Sequence, residues 1–315
     1  MRQAFRQPAE LLGFLGLEDE ADAFEGNANF PMLVPRAFAQ RMERGNRSDP
    51  LLRQVLPDPA ERLTVPGYVS DPVGDRNSRQ ARGLLHKYQG RALLISTGAC
   101  AVHCRYCFRQ HYPYANDHLG RDLDDAVSYI QNHADINEVI LSGGDPLMLD
   151  NRRLFALTQR LAGISHLKRL RIHTRLPVVL PDRVDAELCA WAAALPWPVV
   201  IVIHANHAAE FDGHVDAAVS RLRASGIHVF NQAVLLKGIN DDEDSLVELM
   251  ERSFATGVVP YYLHLLDRVE GAARFDVPAA IALRLHERLR VRLSGYLVPR
   301  LVREEAGAPY KLPVL

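Results

Sequence analysis

Cysteine is scarce in this chain, four in 315 residues, which excludes a small disulfide-stapled secreted fold. Long apolar runs are missing as well. Nothing approaches the ~20 apolar residues that a membrane-spanning helix needs, and the N-terminal piece Leu11–Leu17 is too short and too glycine-broken for a secretory signal. An excess of either charge is absent: Lys and Arg number 37 against 38 Asp and Glu. No basic surface therefore advertises nucleic acid or an anionic membrane as a partner. Internal repeats and low-complexity tracts are lacking too. What these absences leave is a globular protein, 48% hydrophobic and 24% charged, long enough for one large or two modest domains and expected in the cytoplasm.

The few cysteines are not spread evenly. Cys100, Cys104 and Cys107 fall within one short segment, while Cys189 lies alone in Glu187-Leu188-Cys189-Ala190-Trp191, an apolar helical run in which it reads as a small core hydrophobe. A tight cysteine group in a reducing compartment points to metal.

The text changes character near residue 85. Before it the chain is helix-like and rich in turns, with Pro31, Pro35, Pro50, Pro57, Pro59, Pro66 and Pro72 forbidding long helices; a short helix is expected over Ala37–Glu43. Beyond it, apolar runs without strict alternation predict strands buried on both faces: Ala92–Ser96, Glu138–Ser142, Arg169–Thr174, Pro198–His204, His228–Leu236 and Val259–Leu265. Helical segments are expected at Leu123–His133, Asp150–Gly163, Asp185–Ala194, Val215–Ser225, Ser245–Thr256 and Pro278–Ser294, with Asp150 and Asp244 as N-caps and Gly226 and Gly257 as stops. Six βα units in succession predict a parallel sheet, best fitted by a partial (β/α)6 barrel preceded by an N-terminal helical extension. Chemistry in such folds gathers at the C-terminal ends of the strands. The unusual residues fall there: the cysteines, Ser142-Gly143-Gly144-Asp145, Thr174-Arg175, His204, Gln232 and Asp267.

Cys100-Ala101-Val102-His103-Cys104-Arg105-Tyr106-Cys107 has the spacing CxxxCxxC with an aromatic before the last cysteine. Thiolates are the usual ligands of iron–sulfur clusters. Three of them on one loop can bind three corners of a cubane and leave the fourth iron open. Structural zinc is the alternative; it wants four ligands, and His103 or His111 offers a fourth.

The spacing, its aromatic and the Gly-Gly loop after the following strand resemble the radical S-adenosylmethionine (SAM) superfamily. That resemblance implies a 4Fe–4S cluster on Cys100, Cys104 and Cys107, with SAM on the open iron, Tyr106 near the adenine and Ser142-Gly143-Gly144-Asp145 receiving the methionine amine. A narrower resemblance runs from about Phe30 to Pro313. Pro50-Leu51-Leu52-Arg53-Gln54-Val55, Cys104-Arg105-Tyr106-Cys107-Phe108-Arg109, Arg175-Leu176-Pro177-Val178-Val179-Leu180-Pro181, Asn231-Gln232-Ala233-Val234-Leu235-Leu236-Lys237-Gly238-Ile239-Asn240 and Pro260-Tyr261-Tyr262 are similar to the lysine 2,3-aminomutase group. They are especially similar to its short bacterial form, which makes β-lysine for modifying elongation factor P.

The resemblance implies pyridoxal phosphate (PLP) as a further cofactor, on Lys311 in a C-terminal tail, with Arg91 near its ring. Arg175, His204 and Gln232 join the implied cofactor-binding set. Arg109 is implied to clamp the substrate carboxylate, and Asp267 to receive the substrate ε-ammonium. Glu304 stands where a second such acid is normally Asp, with Glu305 its neighbour. Implied partners are L-lysine, a flavodoxin- or ferredoxin-type electron donor, and a functional link to elongation factor P and its lysyl ligase. Long relatives carry a cysteine-bearing zinc extension, whereas this chain has Asp242 at one such cysteine position. A glutamate-specific enzyme would need cations at the far end of the pocket, so the acids favour lysine. Protein purified without oxygen is expected to be brown, with broad visible absorption; a colourless, zinc-loaded preparation would overturn the cluster reading.

Overall fold

A computed structural model describes residues 3–18, 30–120 and 123–315. The N-terminal region contributes three short helices, α1 (Pro8–Leu15), α2 (Arg36–Ala39) and α3 (Pro50–Arg53). Two strands, β1 (Arg79–Ala81) and β2 (Leu84–Tyr88), follow and lead antiparallel into β3 (Arg91–Thr97). The α/β units then run α4 (Asp124–Asn132), β4 (Glu138–Gly143), α5 (Asn151–Ala162), β5 (Arg169–Thr174), α6 (Leu176–Val179), α7 (Ala186–Ala193), β6 (Val199–Ile203), α8 (Gly213–Ala224), β7 (His228–Val234), α9 (Glu243–Thr256), β8 (Val259–His264) and α10 (Ala279–Arg292). The chain ends in β9 (Arg300–Arg303) and β10 (Leu312–Pro313).

The strands form one sheet in sequence order, from β1 to β10. Neighbours from β3 to β9 pair in parallel, and β10 turns back antiparallel on β9. The expected partial barrel is therefore present and stays open. Beyond the six strands expected, β9 adds a seventh in parallel, and short antiparallel strands flank both ends. Those additions left little trace in the sequence: β1 is three largely exposed residues and β10 only two. All six expected strands occur within a residue or two of their anticipated bounds, and β4, whose first five residues are buried, shows the continuous apolar run of a strand covered on both faces.

Aspartates start the outer helices. Asp150, Asp185, Asp212 and Asp242 each accept hydrogen bonds from the first-turn backbone of α5, α7, α8 and α9, satisfying amides that have no partner inside the helix. For α9 the cap is Asp242, not Asp244, because the side chain two residues earlier reaches the Ser245 amide at 2.9 Å. Gly257 closes α9 in the left-handed conformation, φ 93°. The helix expected over Ala37–Glu43 is shorter and earlier, a single turn at Arg36–Ala39. Apolar residues of α1, α2 and α3 share one continuous core with the barrel helices and strands.

The N-terminal segment also holds the cysteine loop. Buried Arg105 pairs with Glu61, its Nε to Oε1 at 2.9 Å, and donates to the Phe30 carbonyl at 2.7 Å. The backbone amides of His103 and Arg105 donate to Leu33 and Gln54 carbonyls at 3.0 and 2.9 Å. Asp242→Ala is expected to cost about 1 kcal/mol of stability, as helix-cap losses do, and Asp244→Ala less than half of that, checked by paired denaturant titrations.

Candidate active site

The three cysteines and the expected cofactor- and substrate-binding residues line one cavity of about 470 Å³ at the C-terminal ends of the strands, whereas His111 and Glu305 lie outside it. Its size falls in the usual range for ligand sites. The site is assembled from loops that β3, β4 and β5 end in, the base of the β9–β10 hairpin, and side chains of β2 and the segment before β1.

Two glycines set the spacing between the first two loops. Gly143 has φ 117°, and a Cβ there would sit 2.7 Å from the Thr97 carbonyl oxygen. A Cβ on Gly144 would lie 2.4 Å from the Ala99 carbonyl oxygen. The gap is closed instead by hydrogen bonds, Gly144 amide to Thr97 carbonyl at 2.7 Å and Asp145 amide to Ala99 carbonyl at 2.8 Å. The β4 loop is thus stitched to the residues that enter the cysteine loop, an approach only glycine permits. Tyr114 donates to the Gly143 carbonyl at 2.7 Å.

Cys100, Cys104 and Cys107 are free thiols on the cavity wall. Burial, followed by the neighbouring thiols, pushes Cys107 up to about 11 and Cys100 well above its ordinary range. Taking up a metal must therefore displace protons. Behind Cys104 lies a buried polar network. Arg175 Nη1 donates to the Cys104 sulfur and to the Tyr106 hydroxyl, each at 2.7 Å. Its Nη2 donates to Gln54 at 2.7 Å and Glu210 at 2.9 Å. Asn206 donates to the Tyr106 hydroxyl at 2.7 Å.

A chain of charges crosses the opposite wall. Buried Asp75 accepts from Arg109 at 2.7 Å and pairs with Lys87 at 2.6 Å. Lys87 pairs onward with Glu304 at 3.0 Å, and Glu304 with Lys311 at 2.5 Å. The pairing of Leu312 with Arg303 across the hairpin places Lys311 beside Glu304. These two lysines, next to Glu304 in a water-poor wall, hold its carboxyl well below the usual carboxylate range against the opposing effect of burial. Between the walls sit His173, His204 and His264, all kept neutral chiefly by burial, His204 down to about 3. His204 shares a hydrogen bond with Gln232 at 2.8 Å.

Comparison with known proteins places this geometry. Residues 94–250 match the Radical SAM superfamily. The chain is 45% identical to "L-lysine 2,3-aminomutase" from Escherichia coli (strain K12), over 98% of this chain and 91% of that protein. It is 42% identical to the protein of that name from Haemophilus influenzae, over 99% and 93%. For the one from Clostridium subterminale the figures are 30% identity over 95% and 72%. The chain belongs to the radical SAM L-lysine 2,3-aminomutase family.

Membership of the radical SAM superfamily implies a 4Fe–4S cluster and SAM, and the three free thiols are the donor set such a cluster requires. Among the described residues no three His, Cys, Asp or Glu side chains converge on a single-ion position. A cubane asks for one thiolate at each of three separate corners. Within this aminomutase-family frame several expected residues have structural occupations of their own. The Asp145 carboxylate accepts from Thr174 at 2.7 Å, the Arg175 amide at 2.7 Å and the Leu147 amide at 3.1 Å, which binds the β4 loop to the end of β5. Ser142 accepts from Arg109 Nη1 at 3.1 Å. The Tyr106 hydroxyl is committed to Arg175 and Asn206, and its ring packs edge-on against Phe275 at 6.1 Å. Arg91 lies over the Tyr88 ring at 4.5 Å. Glu304 is held by two lysines of the chain itself.

Asp75, Lys87, His173 and His264 line the cavity, and Gln54 and Glu210 belong to the network behind Cys104, yet none was singled out as a site residue from the sequence; Asn206 of that network stands in the strand-end group His204–His207 that the sequence marks out. Most stand outside the cysteine and glycine motifs; Gln54 was quoted only as part of a matching stretch. Their one shared signal is polarity inside otherwise apolar or turn-rich text. Asp267 is different again. Its carboxyl faces the cavity with no hydrogen-bonding partner of its own among the described residues, the carbonyl alone accepting from the Val269 amide, and burial, with Glu304 adding to it, lifts that carboxyl to about 7. A carboxyl raised in this way stabilises the fold when protonated and loses that stabilisation as pH climbs from its ordinary 3.8 toward 7. Asp267→Asn is therefore expected to match the parent's melting temperature near pH 4 and exceed it at pH 8 by a few degrees, about 1 kcal/mol; a pH-independent difference in thermal scans would refute the shift.

Proposed function

We propose that the chain is a PLP-dependent L-lysine 2,3-aminomutase that moves the α-amino group to the β-carbon, its product serving the modification of elongation factor P. The observation that carries this reading is the hairpin that delivers the Lys311 amine to the same cavity that the three thiols line. When bound, the cluster with SAM supplies one-electron cleavage that starts radical chemistry, and PLP supplies an electrophilic carbon able to carry an amine between neighbouring carbons.

The remaining work falls to the chain's own side chains. Arg109 is oriented by Asp75 and Ser142 through Nε and Nη1, which leaves its Nη2 side for a substrate carboxylate, the planar match a guanidinium makes best. Asp267 is a carboxyl kept near neutrality and free of protein partners, suited to take up charge when an ammonium arrives. Glu304 holds Lys311 in place and shares Lys87 with Asp75. Neutral histidines and tyrosines around Gln232, His264 buried and the others half-buried, line the middle of the cavity with Arg171 beside them. A substrate with carboxylate and amine at one end and a cation at the other fits this polarity. A dicarboxylic amino acid would bring its second carboxylate to Asp267, which disfavours it. The link to elongation factor P rests on the segments that resemble the short bacterial form.

The test is anaerobic incubation of reconstituted protein with SAM, PLP, dithionite and L-lysine, followed by analysis for β-lysine. Product is expected with the parent, and its loss is expected in Cys104→Ala and in Lys311→Ala. The Lys311→Ala protein should also lose the visible absorption that marks a lysine-bound PLP; activity that survives in that variant would remove PLP from the proposal.

A further inference from the structure

We propose that Arg175 tunes the reduction potential of the cluster: its guanidinium, donating to the Cys104 sulfur, favours the reduced state, while Glu210 on its other fork opposes it. The inference rests on the cluster reading above and adds a determinant that the ligand motif does not contain.

The geometry is specific. Arg175 Nη1 lies 2.7 Å from Cys104 Sγ, and Nη2 lies 2.9 Å from Glu210 Oε2. One rigid fork therefore touches a cluster ligand with one tine and a carboxylate with the other. Arg175 is 6% exposed and Glu210 0%, so water does little to screen either charge. Glu210 is fixed in turn: its Oε1 accepts from Gln54 at 3.1 Å and from the Asn206 amide at 2.7 Å. Among the described residues no side chain donates to the sulfurs of Cys100 or Cys107, so the three corners are inequivalent.

The sign follows from charge. Reduction puts one more electron on the cluster, and part of that density falls on the ligand sulfurs. A fixed cation with a hydrogen bond to one sulfur stabilises the reduced state more than the oxidised one and raises the potential. A nearby buried anion does the reverse. A purely structural ion pair would give the two partners no opposed effect on an electron equilibrium.

The experiment is a dithionite redox titration of anaerobically reconstituted protein, followed by electron paramagnetic resonance of the reduced cluster, for the parent, Arg175→Gln and Glu210→Gln. Circular dichroism checks that each variant is folded. Arg175→Gln is expected to make reduction about tenfold less favourable, a fall of ~59 mV for one electron. Glu210→Gln keeps an acceptor oxygen and is expected to shift the midpoint upward. If Arg175→Gln does not fold, Arg175→Lys keeps the charge without the fork and should give a smaller fall. Midpoints that coincide with the parent, or that move the same way in the Arg175 and Glu210 variants, would overturn the tuning role while leaving the cluster in place. A parent protein that takes up no iron and sulfide would remove the cluster reading itself.

Discussion

The ion pairs of Asp75 hold the working side of this cavity together. Its carboxylate is 1% exposed and lies between Arg109, from the cysteine loop, and Lys87, from β2. Two cations beside it lower its pKa against the contrary effect of burial, which is the condition under which a charge survives inside a protein. Through Lys87 the same carboxylate reaches Glu304 and then Lys311. A residue of the N-terminal segment thus holds a group of the metal-ligand loop directly and is linked to the lysine of the tail by way of Lys87 and Glu304. Without that joint the two walls would have no common reference.

The glycine contacts do on the backbone what Asp75 does with charge. Gly143 and Gly144 leave no room for a side chain against Thr97 and Ala99, and the hydrogen bonds that replace the missing atoms set how the β4 loop meets the approach to Cys100. Asp145 extends the tie to β5 through Thr174 and the Arg175 amide. Arg175 therefore arrives at Cys104 by way of three successive strand ends, each positioning the next. The Gly-Gly-Asp sequence and the cysteines are far apart in the chain, but physically they form one loop system.

The barrel was legible because most of its strands write themselves as short apolar runs; Glu138–Gly143 is the clear case, whereas Arg169–Thr174 alternates polar and buried apolar residues. The cysteines, the glycines and Lys311 were legible because motif spacing and family resemblance single them out. Neither signal reaches β1, β9 or β10, which are short and lie at the sheet's ends. Nor does it reach Asp75, Lys87 or Glu210, whose meaning depends on partners 34, 217 and 156 positions away. An acidic residue in a turn-rich segment looks like solvated surface until tertiary structure shows what it is buried against. Reading Glu304 from its position alone offered a substrate contact; its two lysine neighbours became visible only in three dimensions.

The hairpin that carries Lys311 is held by just two residue pairings, Leu312 with Arg303 and Pro313 with Val302, and its turn is largely exposed, with Tyr310 at 54%. The barrel beneath it is knitted by far longer ladders. Protein segments of such unequal anchoring open separately, each at its own free energy. The terminal stem is accordingly expected to exchange its amide hydrogens sooner than the parallel ladder of β3 and β4. A lysine of the cavity wall is thereby carried on a ladder of two pairings and kept in place as much by its ion pair with Glu304 as by the backbone.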